Sequence, residues 1–353
     1  MKKILFLLLL NVPFFVYAIS ASSYIVMDMD SGRVLEGNNI NKVSLIASTT
    51  KILTAITAIE HSNLEDIVKI NDSVLKAYGS GIYVQVGEEI ILDDLLYGLI
   101  LRSGNDAALA IASYVGGNVD NFVYMMNELA TNIGMNNSSF VNPSGLEESD
   151  GSANYSTVYD MALLTKYAMN NSDYKRITNT KEITIKSSYK TYKWHNKNKL
   201  LTSYEYCTGG KTGFTKKAKR TLVTTASKNN MNLIVVTFND GNDFEDHKKL
   251  YEKYFNSYER IKILDKNEYY GEDVQLRNDF YLVKKDGDVV DTKVILLSNK
   301  GDIDGSIVGR IDVILNGEVL GSRNLYYVKK SVSEDKSFIS KLLDFLKFWW
   351  LDD

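Results

Sequence analysis

Apolar-rich runs from Tyr24 to Met29 and from Arg33 to Glu36 flank the turn signal Asp30-Ser31-Gly32, a pattern that predicts a β-hairpin. From Leu45 to about Glu60 the spacing turns helical. Ile52, Leu53, Ile56 and Ile59, with Ala55 and Ala58 between them, predict a helix buried on most sides. Further helices are expected around Leu92 to Arg102, Asp106 to Val115, Val119 to Ile133 and Val158 to Met169. The period then falls to two. Arg220 to Ala226 and Met231 to Phe238 read as strands joined by Ser227 to Asn230, and His247 to Tyr254 reads as a closing helix. Strands at both ends of a helical insert imply one α/β domain whose sheet is assembled from distant segments.

From about Arg260 to Lys329 the pattern is of short strands and turns, such as Val313 to Leu315, Asn316-Gly317 and Glu318 to Leu320, which predicts a separate small β domain. The two ends carry different signals. Lys2 and Lys3, an apolar run from Ile4 to Phe15 and the small-residue end Val16-Tyr17-Ala18 have the form of a secretory signal over residues 1–18. Phe338 to Leu351 forms an amphipathic helical pattern, with Ser340, Lys341, Asp344, Lys347 and Leu351 along one stripe. Its adjacent Trp349 and Trp350 suit a membrane interface, and its charges argue against a span. The expected organisation is signal 1–18, catalytic domain 22–257, β domain 258–330, and a polar linker with an amphipathic helix over 331–353. The protein is therefore expected to be exported and held at the outer face of the cytoplasmic membrane, peripherally, in the cell envelope.

Composition narrows the chemistry. In 353 residues, 41 Lys and Arg stand against 44 Asp and Glu, and loss of Lys2 and Lys3 with the signal moves the formal charge from −3 to −5. No basic surplus invites nucleic acid. One cysteine, Cys207, excludes an internal disulfide or a cysteine-rich metal cluster, and it reads as a small buried filler. Three histidines leave little room for a histidine-built metal site, so neither metal nor cofactor is expected. The cluster Asp243 to His247 reads as a solvated helix start, with His247 a cap or supporting group.

Ser48-Thr49-Thr50-Lys51 places a hydroxyl and an amine three residues apart, on one face of a helix. The same spacing recurs at Ser73/Lys76, Ser172/Lys175, Ser187/Lys190 and Ser333/Lys336, so spacing alone does not select a site. Context does. Only Ser48 opens a long apolar helix, where burial would hold the Lys51 amine nearer neutrality and able to take the serine proton. Ser103-Gly104-Asn105 lies between two helical patterns, where a hydroxyl and an amide can project into a cleft; as an isolated triplet it is equally a helix N-cap. Lys211-Thr212-Gly213 precedes the strand Arg220 to Ala226. On an edge strand its amine and hydroxyl can bind a carboxylate, while its glycine admits a ligand to the backbone.

In this order, on helix, loop and strand, the three triplets resemble the signature set of serine penicillin-recognising enzymes. The chain is most similar to the low-molecular-mass penicillin-binding proteins that act as D-alanyl-D-alanine carboxypeptidases, peptidase family S11. Asp93-Asp94-Leu95-Leu96-Tyr97, Asn142-Pro143-Ser144-Gly145-Leu146, Tyr155-Ser156-Thr157 and Gly209 to Thr215 extend the likeness across Ser22 to Phe255. The resemblance implies a β-lactamase/transpeptidase-like catalytic domain, an antiparallel sheet with a helical subdomain, followed by the small all-β domain and the C-terminal amphipathic helix. It implies that Ser48 attacks the carbonyl between the two terminal D-alanines of a peptidoglycan stem peptide, with Lys51 as base. Ser103 would pass a proton to the departing D-alanine, Asn105 would orient Lys51 and the acyl amide, and Lys211 with Thr212 would hold the terminal carboxylate. Gly213 would admit the ligand to the strand, and the N–H groups of Ser48 and Phe214 would form the oxyanion hole. A charged Lys211 would help keep Lys51 neutral. β-Lactams, which imitate the D-Ala-D-Ala end, would acylate Ser48.

Two departures bear on this expectation. Some relatives place an arginine ahead of the last helix of the domain to assist carboxylate binding, and Asp243 to His247 contains none. No Glu-x-x-Leu-Asn string lies between Ser103 and Lys211, which weighs against a β-lactamase of the same fold. The same three triplets would also serve a transpeptidase, and a surface protein could keep the fold for peptide binding without catalysis.

Overall fold

The computed structural model describes residues 19–297 and 303–329. The expected signal (1–18) and the linker with its amphipathic helix (331–353) lie outside the described residues. The chain divides into two compact units, meeting in sequence between Ser257 and Tyr258.

The first unit is built on a five-stranded antiparallel sheet. Its strands are β1 (Ser23–Asp28), β2 (Val34–Asn38), β3 (Cys207–Thr215), β4 (Lys219–Lys228) and β5 (Met231–Phe238), in the order β2-β1-β5-β4-β3. The hairpin of β1 and β2 forms at the predicted turn, and β1 then pairs along its length with β5, from Ser23 opposite Phe238 to Asp28 opposite Leu233. β3 is an outer strand, so one of its edges is left for another chain to approach.

Between β2 and β3 the chain makes the helical part: α1 (Lys51–His61), α2 (Leu92–Leu101), α3 (Asn105–Val115), α4 (Val119–Ile133), α5 (Val158–Ala168) and α6 (Ser172–Asn179). α1 is central. Its residues Lys51 through Ile59 are all buried, and it packs against α2, α3, α4, α5 and α6. α5 covers β1 and β5, while α7 (Asp243–Ser257), longer at both ends than its pattern predicts, packs on β4 and β5.

One boundary differs usefully from expectation. The apolar pattern from Leu45 predicts a single helix, but Ser44 and Leu45 pair as strand with Ser156 and Tyr155. A 3₁₀ turn over Ala47–Thr50 then leads into α1, with Ala47 at φ +47. Pairing with a segment more than a hundred residues away overrides the local helical preference and puts Ser48 on a tight turn at the mouth of the helix. The hairpin Glu182–Lys186 with Thr191–His195 was not anticipated, because its alternation is carried by few apolar residues.

The second unit is all β among its described residues. Val274–Gln275, Glu318–Tyr327, Ile307–Leu315 and Val290–Leu296 form a four-stranded sheet, and Glu259–Leu264 pairs with Phe280–Lys284. Asn316 and Gly317, at φ +53 and +87, make the predicted hairpin turn between the two longest strands. Its own core includes Leu264, Val274, Phe280, Leu282, Val308, Val313 and Leu325.

Candidate active site

The three predicted triplets meet around one cleft of about 500 Å³. Ser48, Ser103, Thr212, Gly213 and Phe214 line it, and Lys51, Asn105 and Lys211 lie behind these, each at most 2% exposed. The 3₁₀ turn presents Ser48, the start of α3 presents Asn105, and the outer strand β3 closes the opposite wall.

The Lys51 amine decides the chemistry of this arrangement. Its Nζ lies 3.1 Å from Ser48 Oγ and donates to Asn105 Oδ1 at 2.7 Å and to the main-chain carbonyl of Ser144. Two carbonyl acceptors use the two N–H bonds of a neutral amine and leave its lone pair for the Ser48 hydroxyl proton. Burial pushes the Lys51 pKa down to about 7, helped by the nearby charge of Lys197 and opposed by Asp106. A base of that strength can be unprotonated at neutral pH and can accept the serine proton.

Lys211 is held well below the usual lysine range, chiefly by burial and then by repulsion from Lys51 and Lys197. Because repulsion between two ammonium groups is mutual, Lys211 and Lys51 oppose each other's ionisation, and Lys197, which the sequence reading did not include, adds a further like charge against both. Lys211 Nζ donates to the carbonyl of Thr212 at 2.7 Å. An arriving carboxylate would supply the counter-charge that favours its ammonium form.

Two glycines permit the close packing. A side chain on Gly213 would begin 3.0 Å from the Ser48 nitrogen and 2.4 Å from Thr221 Oγ1, so β3 approaches the nucleophile turn because that residue has no Cβ. Gly145, at φ +83, lies against Ala47: a Cβ there would sit 1.9 Å from the Ala47 carbonyl oxygen. That contact brings the adjacent Ser144 carbonyl to Lys51. Ser103 also holds a positive φ, +60, on the bend before Gly104, which is the N-terminal cap of α3. Asn105 is thus the first helical residue, and its Nδ2 donates to the Tyr78 carbonyl at 2.6 Å.

Several residues that sequence reasoning passed over complete the cleft. Lys197 lines it and donates to Ser80 Oγ at 3.0 Å. Arg220 reaches the cleft from β4, where its Nε donates to Asp243 Oδ2 at 3.0 Å and Phe244 lies under the guanidinium. An arginine therefore does stand beside the Asp243 segment, supplied by a strand rather than by the helix start. Its side chain can be placed there only by the β3–β4 register, which sets Arg220 opposite Phe214. His247 is a supporting group rather than a cap: fully buried between Thr224 (2.7 Å) and Thr237 (3.0 Å), it is kept neutral by burial, with its pKa pushed down to about 3. Cys207 is buried, and burial pushes its thiol up to about 11.

This constellation sits within a stretch that matches a known family profile, D-alanyl-D-alanine carboxypeptidase (peptidase S11), over residues 11–242. The chain belongs to this family. It is 34% identical over 224 residues to the D-alanyl-D-alanine carboxypeptidase DacF of Bacillus subtilis, an alignment covering 62% of this chain and 57% of that protein. It is 30% identical over 363 residues to the D-alanyl-D-alanine carboxypeptidase DacA of Haemophilus influenzae, covering 93% of this chain and 89% of the relative. The crystal structure of penicillin binding protein 5 from Haemophilus influenzae superposes with a TM-score of 0.74 at 26% identity, over 88% of this chain and 97% of that one. The mixed α/β transpeptidase-like fold is thereby established for this S11 member.

Proposed function

We propose that the protein is a serine-type D-Ala-D-Ala carboxypeptidase that removes the terminal D-alanine from peptidoglycan stem peptides. The observation that carries this reading is the Ser48 hydroxyl 3.1 Å from an amine whose N–H groups are already taken by Asn105 and Ser144, in a cleft walled by Thr212 and Gly213 with the buried Lys211 behind them. Family membership supports the same substrate.

In this reading Lys51 takes the Ser48 proton as Oγ attacks the carbonyl of the penultimate D-alanine. The N–H groups of Ser48 and Phe214 stabilise the oxyanion, and Ser103 passes a proton to the departing amine. Lys211 and Thr212 bind the terminal carboxylate, assisted by Arg220. Asn105 fixes Lys51 and meets the acyl amide. Water then releases the acyl enzyme. β-Lactams enter as mimics of the D-Ala-D-Ala end and acylate Ser48.

We further propose that residues 22–257 are the catalytic domain and that residues 258–330 act as a spacer. Residues 1–18 would direct the chain to export and then be removed, and the amphipathic pattern over Phe338 to Leu351 would hold the protein peripherally on the membrane. Among the described residues no helix is long and apolar enough to cross a membrane.

The test is direct. The purified protein is incubated with a fluorescent penicillin and its intact mass measured, and D-alanine release is followed from diacetyl-Lys-D-Ala-D-Ala. A stable adduct and D-alanine release, both lost in Ser48→Ala, are expected. Rapid turnover of the penicillin would mark a β-lactamase, faster aminolysis than hydrolysis a transpeptidase, and no adduct a non-catalytic binding protein. Deleting residues 338–353 should release the protein from membranes with its soluble activity intact.

A further inference from the structure

The segment carrying Tyr78 to Val84 has no regular secondary structure, yet it is tightly held to the start of α3. The Asp106 carboxylate accepts the N–H groups of Ile82 (3.0 Å), Tyr83 and Val84 (3.3 Å), and the N–H of Asn105 donates to the Ser80 carbonyl at 2.8 Å. The side-chain amide of Asn105 donates to the Tyr78 carbonyl at 2.6 Å. From there the exposed Tyr78 side chain reaches away from the helices, and its hydroxyl donates to the main-chain carbonyl of Glu147 at 2.6 Å. Glu147 is in turn anchored to the other wall: its carboxylate accepts from Thr215 Oγ1 at 3.2 Å and pairs with Lys217 at 2.6 Å. A continuous line of contacts thus joins Asn105 on the helical side to the far end of β3.

Its position along β3 gives it meaning. With a terminal carboxylate at Lys211 and Thr212 and a scissile carbonyl at the Phe214 N–H, the rest of a bound peptide is carried past Phe214 towards Thr215, about 3.3 Å per residue along the strand. That is where the Tyr78–Glu147 contact lies. The Asn105 amide nitrogen, which the acyl carbonyl would meet, already gives one of its two N–H groups to Tyr78.

We propose that Tyr78 and Glu147 form a clasp over the acyl end of the cleft, and that Tyr78 determines specificity for substrates extended on the N-terminal side of the two D-alanines. The residue before the D-alanines parts the clasp, and its carbonyl accepts from the second N–H of the Asn105 amide, beside the one held by Tyr78. This rests on the carboxypeptidase reading above.

The experiment compares kcat/KM for acetyl-D-Ala-D-Ala and diacetyl-Lys-D-Ala-D-Ala in the full chain. Both peptides carry the carbonyl that meets Asn105, but only the second carries a residue beyond it. Tyr78→Phe removes the hydroxyl and keeps the ring, and Lys217→Ala releases the opposite anchor without touching the helical side. Tyr78→Phe should raise the extended-to-short ratio of kcat/KM by roughly threefold to tenfold, the worth of one hydrogen bond, and Lys217→Ala should raise it by up to about fivefold, the worth of an exposed ion pair. An unchanged ratio in both variants would reduce the contact to a structural one, and a lowered ratio would make Tyr78 a binder of the extension; either overturns the proposal. If the wild-type protein releases D-alanine from neither peptide, the carboxypeptidase reading fails on its own. The clasp is then judged by the acylation rates of 6-acetamidopenicillanic acid and a penicillin with a long acyl chain, both carrying that carbonyl, read by intact mass with the same variants. Failure of both β-lactams to react would overturn the clasp as well.

Discussion

Lys51 donates from its amine to the main-chain carbonyl of Ser144, 93 positions along the chain, and that contact exists because Gly145 lets the Asn142 to Leu146 turn lie against Ala47. Gly145→Ala would place a methyl group 1.9 Å from the Ala47 oxygen at a φ of +83. Since the clash is with backbone, relaxation must move the nucleophile turn or the Ser144 carbonyl. The expected outcome is a loss of more than about 3 kcal/mol of stability by urea denaturation. Acylation by penicillin should fall by more than tenfold in whatever fraction stays folded.

The acylation rate should rise with pH through about 7, because only neutral Lys51 accepts the Ser48 proton. Lys197 is one cause of the depression. Lys197→Met removes a like charge, so the Lys51 pKa should rise and the acidic limb of the profile should move to higher pH. Lys197→Arg should restore it. The second-order rate of penicillin acylation between pH 5 and pH 9 checks this, and a limb that stays in place in the methionine variant would remove Lys197 from the account.

Arg220, held by Asp243, should act on the substrate carboxylate and on little else. Arg220→Ala is expected to raise KM for diacetyl-Lys-D-Ala-D-Ala by roughly tenfold to 150-fold, the range of a hydrogen bond to a charged group, with a smaller change in kcat. The same peptide with a C-terminal amide should show no such difference between wild type and variant. Equal effects on both peptides would mean that Arg220 serves only to hold the start of α7.

His247 gives a stability prediction with a definite sign. Burial depresses its folded pKa to about 3, whereas the unfolded chain titrates near the ordinary histidine value of about 6.5. Between these values the unfolded state binds the extra proton. Stability contributed by neutral His247 is therefore fully present above about pH 6.5 and is lost as pH falls towards 3. In His247→Gln the slope of unfolding free energy against pH in this window should be smaller by up to about 1.4 kcal/mol per pH unit. Urea titrations at pH 4, 5, 6 and 7 provide the measurement.

The sequence by itself determined what short-range periodicity and covalent order can determine. The period-two runs became β4 and β5, Asn316-Gly317 became its hairpin turn, and Ser48 and Lys51 are within reach of each other because residues three apart on a helical turn face the same way. The expectation that the three triplets share a cleft came from their resemblance, taken in order, to the signature set of serine penicillin-recognising enzymes. Tertiary structure decided the rest. Whether the Lys51 amine is charged depends on what surrounds it: burial disfavours the ammonium form, its acceptors come from Asn105 and Ser144, and a like charge comes from Lys197. Arg220 enters the cleft only through the register of two strands, and Tyr78 meets Glu147 only because two irregular segments fold towards each other. A residue's neighbours along the chain set its backbone preference, while its ionisation and its partners are set by whichever distant groups displace the water around it.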